Sequence, residues 1–319
     1  MSQATVIALE EHYFDPEVTQ HFKEGGPEAR LPALRDRLFD VGELRLTEMD
    51  QAGIDVQVLS HGAPATQRMD AQTAIPVARR ANDKLHALIN GSGKRFEGFA
   101  ALPTADAKAA ADELERAVTR LGFKGAMIHG LANGAFLDER RFWPIFERAQ
   151  ALDVPLYMHP AIPHPAVVEA YYRDYLKDFP GLLTAGWGFT VETATQAIRL
   201  VLSGLFDAYP RLKIILGHLG EGLPFSLWRI DMALARQGNR ATPFRDCFRE
   251  HFWITTSGNF STPALLCCVL EMGVDRILFS IDYPFVLNPP GMKWMQDVPL
   301  GAEDRAKILG GNARRLLKM

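Results

Sequence analysis

The stretch TVIALEEH at residues 5–12 is a short apolar run that closes on two polar side chains, Glu10 and His12. The same pattern recurs along the chain, where further apolar runs end at His61, His129, His159, His218 and Asp282. Buried strands with polar side chains at their C-terminal tips are how a (β/α)8 barrel builds an active site. Histidine is a common metal ligand and acid–base group, so the pattern predicts catalysis at one end of such a barrel.

Eight apolar runs alternate with helical patterns, which favours parallel strands joined by crossover helices. The predicted strands are 5–12, 55–62, 96–103, 123–130, 154–160, 212–220, 252–259 and 276–283. The predicted helices lie near 44–52, 74–89, 106–121, 141–151, 193–206 and 263–272. Eight repeats fit a closed α/β TIM barrel better than a doubly wound sheet, whose GxGxxG motif does not follow the first strand. We therefore expect one barrel domain over residues 1–319.

Two connections of the predicted barrel are long, at 13–41 after strand one and 161–190 after strand five. Long segments of this kind in a compact domain are usually lids or binding loops. Both would lie on the catalytic face.

The bulk composition excludes several classes of protein. The net charge is −3 and no basic stripe is present, so nucleic acid is not an expected partner. The chain contains no run of about 18 apolar residues and opens without a signal-peptide pattern, so no membrane association is expected. Three cysteines, Cys247, Cys267 and Cys268, make no disulfide framework and fit a reducing cytoplasm.

Four ligand-type residues would converge if the barrel closes. Glu10 and His12 are two apart on a strand and therefore share a face. His159 ends strand five, and Asp282 ends strand eight, which would neighbour strand one. Singly, each could be a polar strand end, a buried structural histidine or a turn residue before Pro284. Together, two imidazoles and two carboxylates suit Zn²⁺ or Mn²⁺.

A second constellation follows strand six, where His218 and Glu221 lie in GHLGEG. A carboxylate beside a histidine orients the ring and favours its protonated form, so His218 could be a general acid or base. Arg229 could hold an anionic substrate by a bidentate contact, or simply pair with Asp231. His129 could face substrate or be a polar rim residue.

These motifs resemble those of the amidohydrolase superfamily, and within it the metal-dependent, non-oxidative aromatic acid decarboxylases. The likeness covers nearly the whole chain and is most specific in ALEEH at 8–12, GHLGEGLP at 217–224 and SIDYPF at 280–285. The resemblance implies decarboxylation of a small hydroxybenzoate of the γ-resorcylate type. One departure is His129, because these decarboxylases carry asparagine after strand four.

The resemblance also implies roles for individual residues. One divalent ion, Mn²⁺ or Zn²⁺, would be held by Glu10, His12, His159 and Asp282. The catalytic residues would be Asp282 as the proton donor, with His218 as a rival donor, and Glu221. The substrate contacts would be Arg229, His129 and Phe22. A homodimer or homotetramer is implied in the same way.

Three other functions use the same site pattern. A hydrolase would direct metal-bound hydroxide at a lactone or an amide, with Asp282 as the general base. A hydratase would add water to an unsaturated carboxylic acid. A non-catalytic binding protein on the same fold would be expected to lose some ligands, and all four are present.

Overall fold

The computed structural model describes residues 5–22, 31–235 and 243–319, and it has an α/β organisation with parallel strands. All eight strands overlap the predicted runs and are shorter than predicted, and β3, β6, β7 and β8 end several residues early because the chain leaves regular pairing there to form loops. The strands are β1 Ile7–Tyr13, β2 Val56–His61, β3 Phe96–Gly98, β4 Ala126–His129, β5 Leu156–His159, β6 Ile214–Leu216, β7 Phe252–Thr255 and β8 Ile277–Leu278.

Helices follow most of the strands, and all six predicted helices are present. The α-helices are α1 Pro16–Thr19, α2 Pro32–Phe39, α3 Glu43–Ala52, α4 Ala71–Gly91, α5 Ala107–Leu121, α6 Trp143–Leu152, α7 Pro165–Val167, α8 Gly188–Leu202, α9 Leu205–Ala208, α10 His218–Glu221, α11 Leu223–Ala235, α12 Phe244–His251, α13 Thr262–Met272, α14 Asn288–Asp297, α15 Ala302–Ala306 and α16 Asn312–Leu317. Short 3-10 or π segments lie at Arg140–Phe142, Val168–Tyr172, Arg173–Tyr175, Pro180–Leu183, Val274–Arg276 and Lys307–Gly311. Of the helices described, none combines the length and the hydropathy needed to span a bilayer.

The strands form two parallel sheets, β1-β2-β3 and β4-β5-β6-β7-β8, in chain order. Isolated parallel bridges connect the sheets on both sides, between Glu11 and Tyr283 and between Ala100 and Ala126. At the second bridge the Ala100 N–H donates to the Gly125 carbonyl at 2.9 Å. Strand β1 therefore neighbours β8, and the chain beyond β3 neighbours β4.

Apolar side chains from the strands of both sheets form one buried cluster. They come from six strands and the chain after β3, and helix α16 packs against them: Ile7, Leu9, Val58, Phe99, Met127, Tyr157, Ile215, Leu278, Ala313, Leu316 and Leu317. A larger apolar cluster lies between the strands and the helices. These two apolar clusters exclude water beneath the C-terminal ends of the strands, where the polar residues lie.

A β-bulge in β1 changes which side chains face the interior. Ala8 pairs with Gln57, but Glu11 pairs with Leu59, so β1 contains one extra residue at this point. Ile7 and Leu9 face the interior, and strict alternation would place Glu11 there as well. The extra residue instead turns Glu10 inward and Glu11 outward. The predicted E-x-H geometry is therefore correct, but it depends on a bulge that the alternation pattern does not reveal.

The two long connections contain short helical segments. Helices α1 and α2 lie between β1 and α3, and part of this connection, residues 23–30, lies outside the described residues. Helix α7 and three 3-10 or π segments lie between β5 and α8. Tyr172 of that second connection is buried, so the connection packs on the domain.

We predict that Gly125→Ala destabilises the protein strongly, because Gly125 lies where the two sheets meet. Its φ is +146°, and an added Cβ would lie 2.2 Å from the carbonyl oxygen of Pro155. Overpacking against backbone and a disfavoured φ together should lower the free energy of unfolding by about 2–4 kcal/mol in urea titrations. The control is Gly122→Ala, which has a φ of +76° and no atom within 4 Å of the added Cβ. Equal losses of unfolding free energy in the two variants would contradict the close packing of Gly125 against Pro155.

Candidate active site

Four side chains from distant parts of the sequence converge at the C-terminal ends of the strands. One ligand atom each of Glu10, His12, His159 and Asp282 lies within 4.8 Å of the others. The Glu10 Oε1 is 3.1 Å from Nε2 of His159 and 3.8 Å from Nε2 of His12. The His12 Nε2 is 3.4 Å from Oδ1 of Asp282. These atoms surround a space of the size that one cation would take.

The two oxygens of Glu10 have different partners. Its Oε2 accepts hydrogen bonds from the Tyr157 hydroxyl and, at 2.6 Å, from the Ser257 hydroxyl. Its Oε1 and the Nε2 of His12 are buried without a hydrogen-bond partner among the described residues. Buried polar atoms are nearly always satisfied, so two such atoms that face each other indicate a missing partner. A divalent cation coordinated by nitrogen and oxygen fits this donor set.

The charges in the cluster also favour a cation. Burial opposes ionisation of Glu10, but His218, His159 and His12 lower its pKa well below the usual value. Burial likewise opposes protonation of His12, but Asp282 and Glu10 raise its pKa to about 9. The site therefore attracts positive charge, which a proton or a metal ion can supply.

The backbone at Asp282 has an unusual conformation that directs this side chain at the cluster. Asp282 lies four residues beyond the end of β8 and has a φ of +71°, which is disfavoured for a residue with a Cβ. Its N–H donates to the carbonyl of Glu10 at 3.0 Å, which ties the loop to β1. Residues held in such conformations cluster at functional sites.

His218 and Glu221 bound the short segment α10, which is a turn of left-handed backbone that follows β6. Five consecutive residues, 218–222, have φ between +51° and +76°, although only Gly220 and Gly222 are glycines. The turn brings the Nδ1 of His218 within 2.7 Å of Oε1 of Glu221. Each non-glycine residue in this conformation costs about 1–2 kcal/mol, so the surrounding structure must stabilise it.

The histidine of this pair faces the four-residue cluster. Its Nε2 is 3.6 Å from Oε1 of Glu10 and 3.9 Å from Oδ2 of Asp282. Burial opposes protonation, but Glu221 and Glu10 raise the pKa of His218 well above its usual value. Thr190 donates to the other oxygen of Glu221 at 2.9 Å and holds the carboxylate in place. The arrangement favours a protonated imidazole next to the candidate metal centre.

Asp282 and His218 form the partly exposed side of the cluster, called here the open side. The side chains of Glu10 and His12 are fully buried, whereas those of Asp282 and His218 are 17% and 21% exposed. A ligand that enters would therefore meet Asp282 and His218 first.

His129 adjoins this cluster, as its position at the end of β4 predicts. Its Nδ1 is 2.9 Å from Nδ1 of His159. Burial, together with the charges of His159 and His12, lowers the pKa of His129 well below its usual value. His129 is therefore a neutral neighbour of the cluster.

The other two predicted substrate contacts, Phe22 and Arg229, make no hydrogen bond, ion pair or ring contact with the cluster among the described residues. Phe22 packs edge-on against His61 at a ring-centroid distance of 6.3 Å. Arg229 lies on α11 with an exposed side chain. Within residues 5–22, 31–235 and 243–319, no hydrogen bond or ion pair connects Arg229 to the cluster.

Sequence reasoning missed several side chains that support the site. Tyr157 is two residues before His159 on β5, so strand alternation could have identified it as a neighbour of Glu10. Ser257 belongs to the polar TTSGN run at the end of β7, and Thr190 lies in the first turn of α8 and donates to Glu221. Gly217 leaves room for Glu10, because a Cβ there would lie 2.6 Å from its Oε2.

Comparison with known proteins identifies similar chains and folds. The Amidohydrolase family matches residues 18–319. The gamma-resorcylate decarboxylase of Polaromonas sp. is 44% identical, covering 98% of each chain. A crystal structure of the dihydroxybenzoic acid decarboxylase of Polaromonas sp. JS666, with bound manganese and the inhibitor 2-nitroresorcinol, has a TM-score of 0.90 and covers 99% of this chain and 97% of its own. The 5-carboxyvanillate decarboxylase of Sphingomonas paucimobilis is 35% identical, with a TM-score of 0.92, and the match covers 99% of this chain and 100% of that one.

We predict that a chelator lowers the melting temperature and that Mn²⁺ restores it. At a hundredfold excess over Kd, a bound ion stabilises the folded state by about 2.7 kcal/mol, or about 5 °C in a chain of this size. In His159→Asn this response should disappear, because one ligand atom of the cluster is lost. His86→Asn is the control, since His86 hydrogen-bonds Leu121 and Asn90 outside the cluster. An unchanged Mn²⁺ response in His159→Asn, measured by differential scanning calorimetry, would exclude this cluster as the site.

Proposed function

The chain belongs to the amidohydrolase family, and we propose that it is a carbon–carbon lyase that decarboxylates a hydroxybenzoate of the γ-resorcylate type without an oxidant. The observation that carries this proposal is the convergence of four ligand-type atoms within 4.8 Å, with the His218–Glu221 pair on the open side. Full-length similarity to gamma-resorcylate decarboxylases selects this reaction among those that such a site can perform.

One divalent ion would be held by Glu10, His12, His159 and Asp282. The unpartnered Oε1 of Glu10 and Nε2 of His12 support this assignment. Mn²⁺ is favoured over Zn²⁺ because the similar Polaromonas structure contains manganese. When bound, the ion supplies positive charge that stabilises negative oxygen atoms of the substrate.

Side chains of the protein would carry out the proton transfer. Loss of CO2 directly from a benzoate leaves an electron pair in the ring plane, which the π system does not stabilise. Asp282 therefore donates a proton to the ring carbon that bears the carboxylate. The bond from that carbon to the carboxylate then breaks, its electron pair restores the aromatic ring, and CO2 leaves. Asp282 regains a proton from water, which its partial exposure allows.

His218 would polarise a ring hydroxyl while Glu221 keeps the imidazole protonated and oriented. His218 is also a rival proton donor, because its Nε2 lies 3.9 Å from Asp282 on the open side. His129, Phe22 and Arg229 are the proposed substrate contacts. His129 has the strongest support, because it contacts His159, whereas Arg229 is supported by the family resemblance alone.

We further propose that residues 1–319 form one domain built on a closed (β/α)8 barrel. The bridges between Glu11 and Tyr283 and between Ala100 and Ala126 support closure, since they connect the two sheets on both sides. The proposed partners are a small aromatic carboxylate and further copies of the chain, as a homodimer or homotetramer. Exposed aromatic side chains support self-association, among them Trp228 and Phe225 on α11. A cytoplasmic location accords with the free thiols of Cys247, Cys267 and Cys268.

We predict that the Mn²⁺-loaded protein converts 2,6-dihydroxybenzoate to resorcinol and CO2 in equal amounts. In D2O, one deuterium should replace the carboxylate on the ring, because the proton comes from an exchangeable group. Mass spectrometry and CO2 release measure both products. The matched alternative substrate is 5-carboxyvanillate, and faster turnover of it would change the substrate assignment. Ring opening, lactone hydrolysis or hydration of an unsaturated acid without CO2 release would favour the hydrolase or hydratase instead.

We predict different losses on removing the two candidate proton donors. Asp282→Asn should lower kcat at least about a thousandfold, while substrate binding at saturating Mn²⁺ persists. His218→Asn should lower kcat less, by about 10²–10³-fold, because general acid–base groups and hydrogen-bond donors contribute on that scale. Metal content is measured in both variants, so that loss of the ion is distinguished from loss of the donor. Full activity of Asp282→Asn would contradict its role and transfer the role to His218.

A further inference from the structure

The backbone on both sides of Asp282 is held by the carboxyl group of Glu11. The Ile281 N–H donates to Oε1 of Glu11 at 2.9 Å, and the Tyr283 N–H donates to Oε2 at 3.2 Å. Both hydrogen bonds are buried and cross about 270 residues of sequence. The residue between these two donors is Asp282, whose φ of +71° requires outside support.

Glu11 lies in a buried polar cluster on the outer side of β1, opposite the candidate metal centre. The β-bulge turns it to this side, and both Glu11 and Arg45 are fully buried. The guanidinium of Arg45 donates to the His12 carbonyl at 2.5 Å and to Oε1 of Gln57 at 3.2 Å. It also lies 4.6 Å from the ring centroid of Tyr283. The cluster thus contacts both metal-site segments, β1 and the loop after β8.

The hydrogen bonds at Glu11 need two acceptor atoms. Burial raises the pKa of Glu11 to about 8, although the Ile281 N–H and the charge of Arg45 oppose this rise. In either protonation state each carboxyl oxygen has a lone pair that can accept. Glutamine at this position would keep one acceptor and present an amide N–H2 group to a backbone N–H. One of the two backbone hydrogen bonds would then be replaced by a repulsive contact between donors.

We propose that Glu11 is a positioning residue that fixes the Asp282 turn and thereby sets the metal affinity and the proton transfer of the site. The inference rests on the proposed function only for the proton-transfer part. The metal-affinity part requires only that Asp282 binds the ion. Arg45 and Gln57 support Glu11 from the side of α3 and β2.

The test compares Glu11→Gln with Glu113→Gln in the full-length protein. Glu113 is also a buried carboxylate, but it contacts Asn82 and Arg116 on the helical layer away from the site. We expect Glu11→Gln to weaken Mn²⁺ binding 10–100-fold, as is typical when a group that orients a metal ligand is lost. Its kcat at saturating Mn²⁺ should fall by a similar factor. Glu113→Gln should lower only the melting temperature.

Titration calorimetry with Mn²⁺ gives the affinity independently of turnover. If the wild-type protein binds Mn²⁺ but releases no CO2, the proposed reaction fails while the affinity comparison still tests Glu11. Wild-type Mn²⁺ affinity and kcat in Glu11→Gln, within twofold, would overturn the proposal. If Glu11→Gln does not fold, Glu11→Asp replaces it, because it keeps both acceptors but withdraws them by about 1.5 Å. Its Mn²⁺ affinity should also fall, and an unchanged affinity would overturn the proposal.

Discussion

The site depends on one buried negative charge, the carboxylate of Glu10. Its side chain has no exposed surface, and burying an ionised carboxylate is costly unless positive charge or hydrogen bonds compensate. Tyr157 and Ser257 satisfy one oxygen, and His12, His159 and His218 surround the other. A cation between these groups would stabilise the charge of Glu10. It would also bind the substrate next to the acid–base residues.

The backbone has irregular conformations at the segments that carry the side chains of the site. The β-bulge in β1 turns Glu10 and His12 to the same side, and the left-handed turn at 218–222 brings His218 to Glu221. Backbone hydrogen bonds to β1 hold Asp282 in place. Its own N–H donates to the carbonyl of Glu10, and the N–H groups of its two neighbours donate to the carboxyl group of Glu11. These disfavoured conformations persist because the strands beneath them are closely packed. The rigid layer of strands and the strained loops above it therefore form one functional unit.

Much of this arrangement could be predicted from the sequence, because apolar runs that end in histidine or aspartate mark the strand ends. The positions of the eight strands and the convergence of Glu10, His12, His159 and Asp282 follow from that pattern. The side chains and backbone features that support these four residues do not follow from that pattern. Arg45 appears in the sequence as one charged residue of an ordinary helix, and its burial results from tertiary packing. The bulge and the left-handed turn depend on backbone geometry that residue types at 8–11 and 218–222 do not specify.

The central claim is that a single divalent ion binds between Glu10, His12, His159 and Asp282. Anomalous diffraction at the manganese absorption edge, from crystals grown with Mn²⁺, tests it most directly. The account predicts one strong anomalous peak per chain, within coordination distance of the Glu10 Oε1, the Nε2 atoms of both histidines and a carboxylate oxygen of Asp282. A fully occupied peak elsewhere, or none at saturating Mn²⁺, would contradict it.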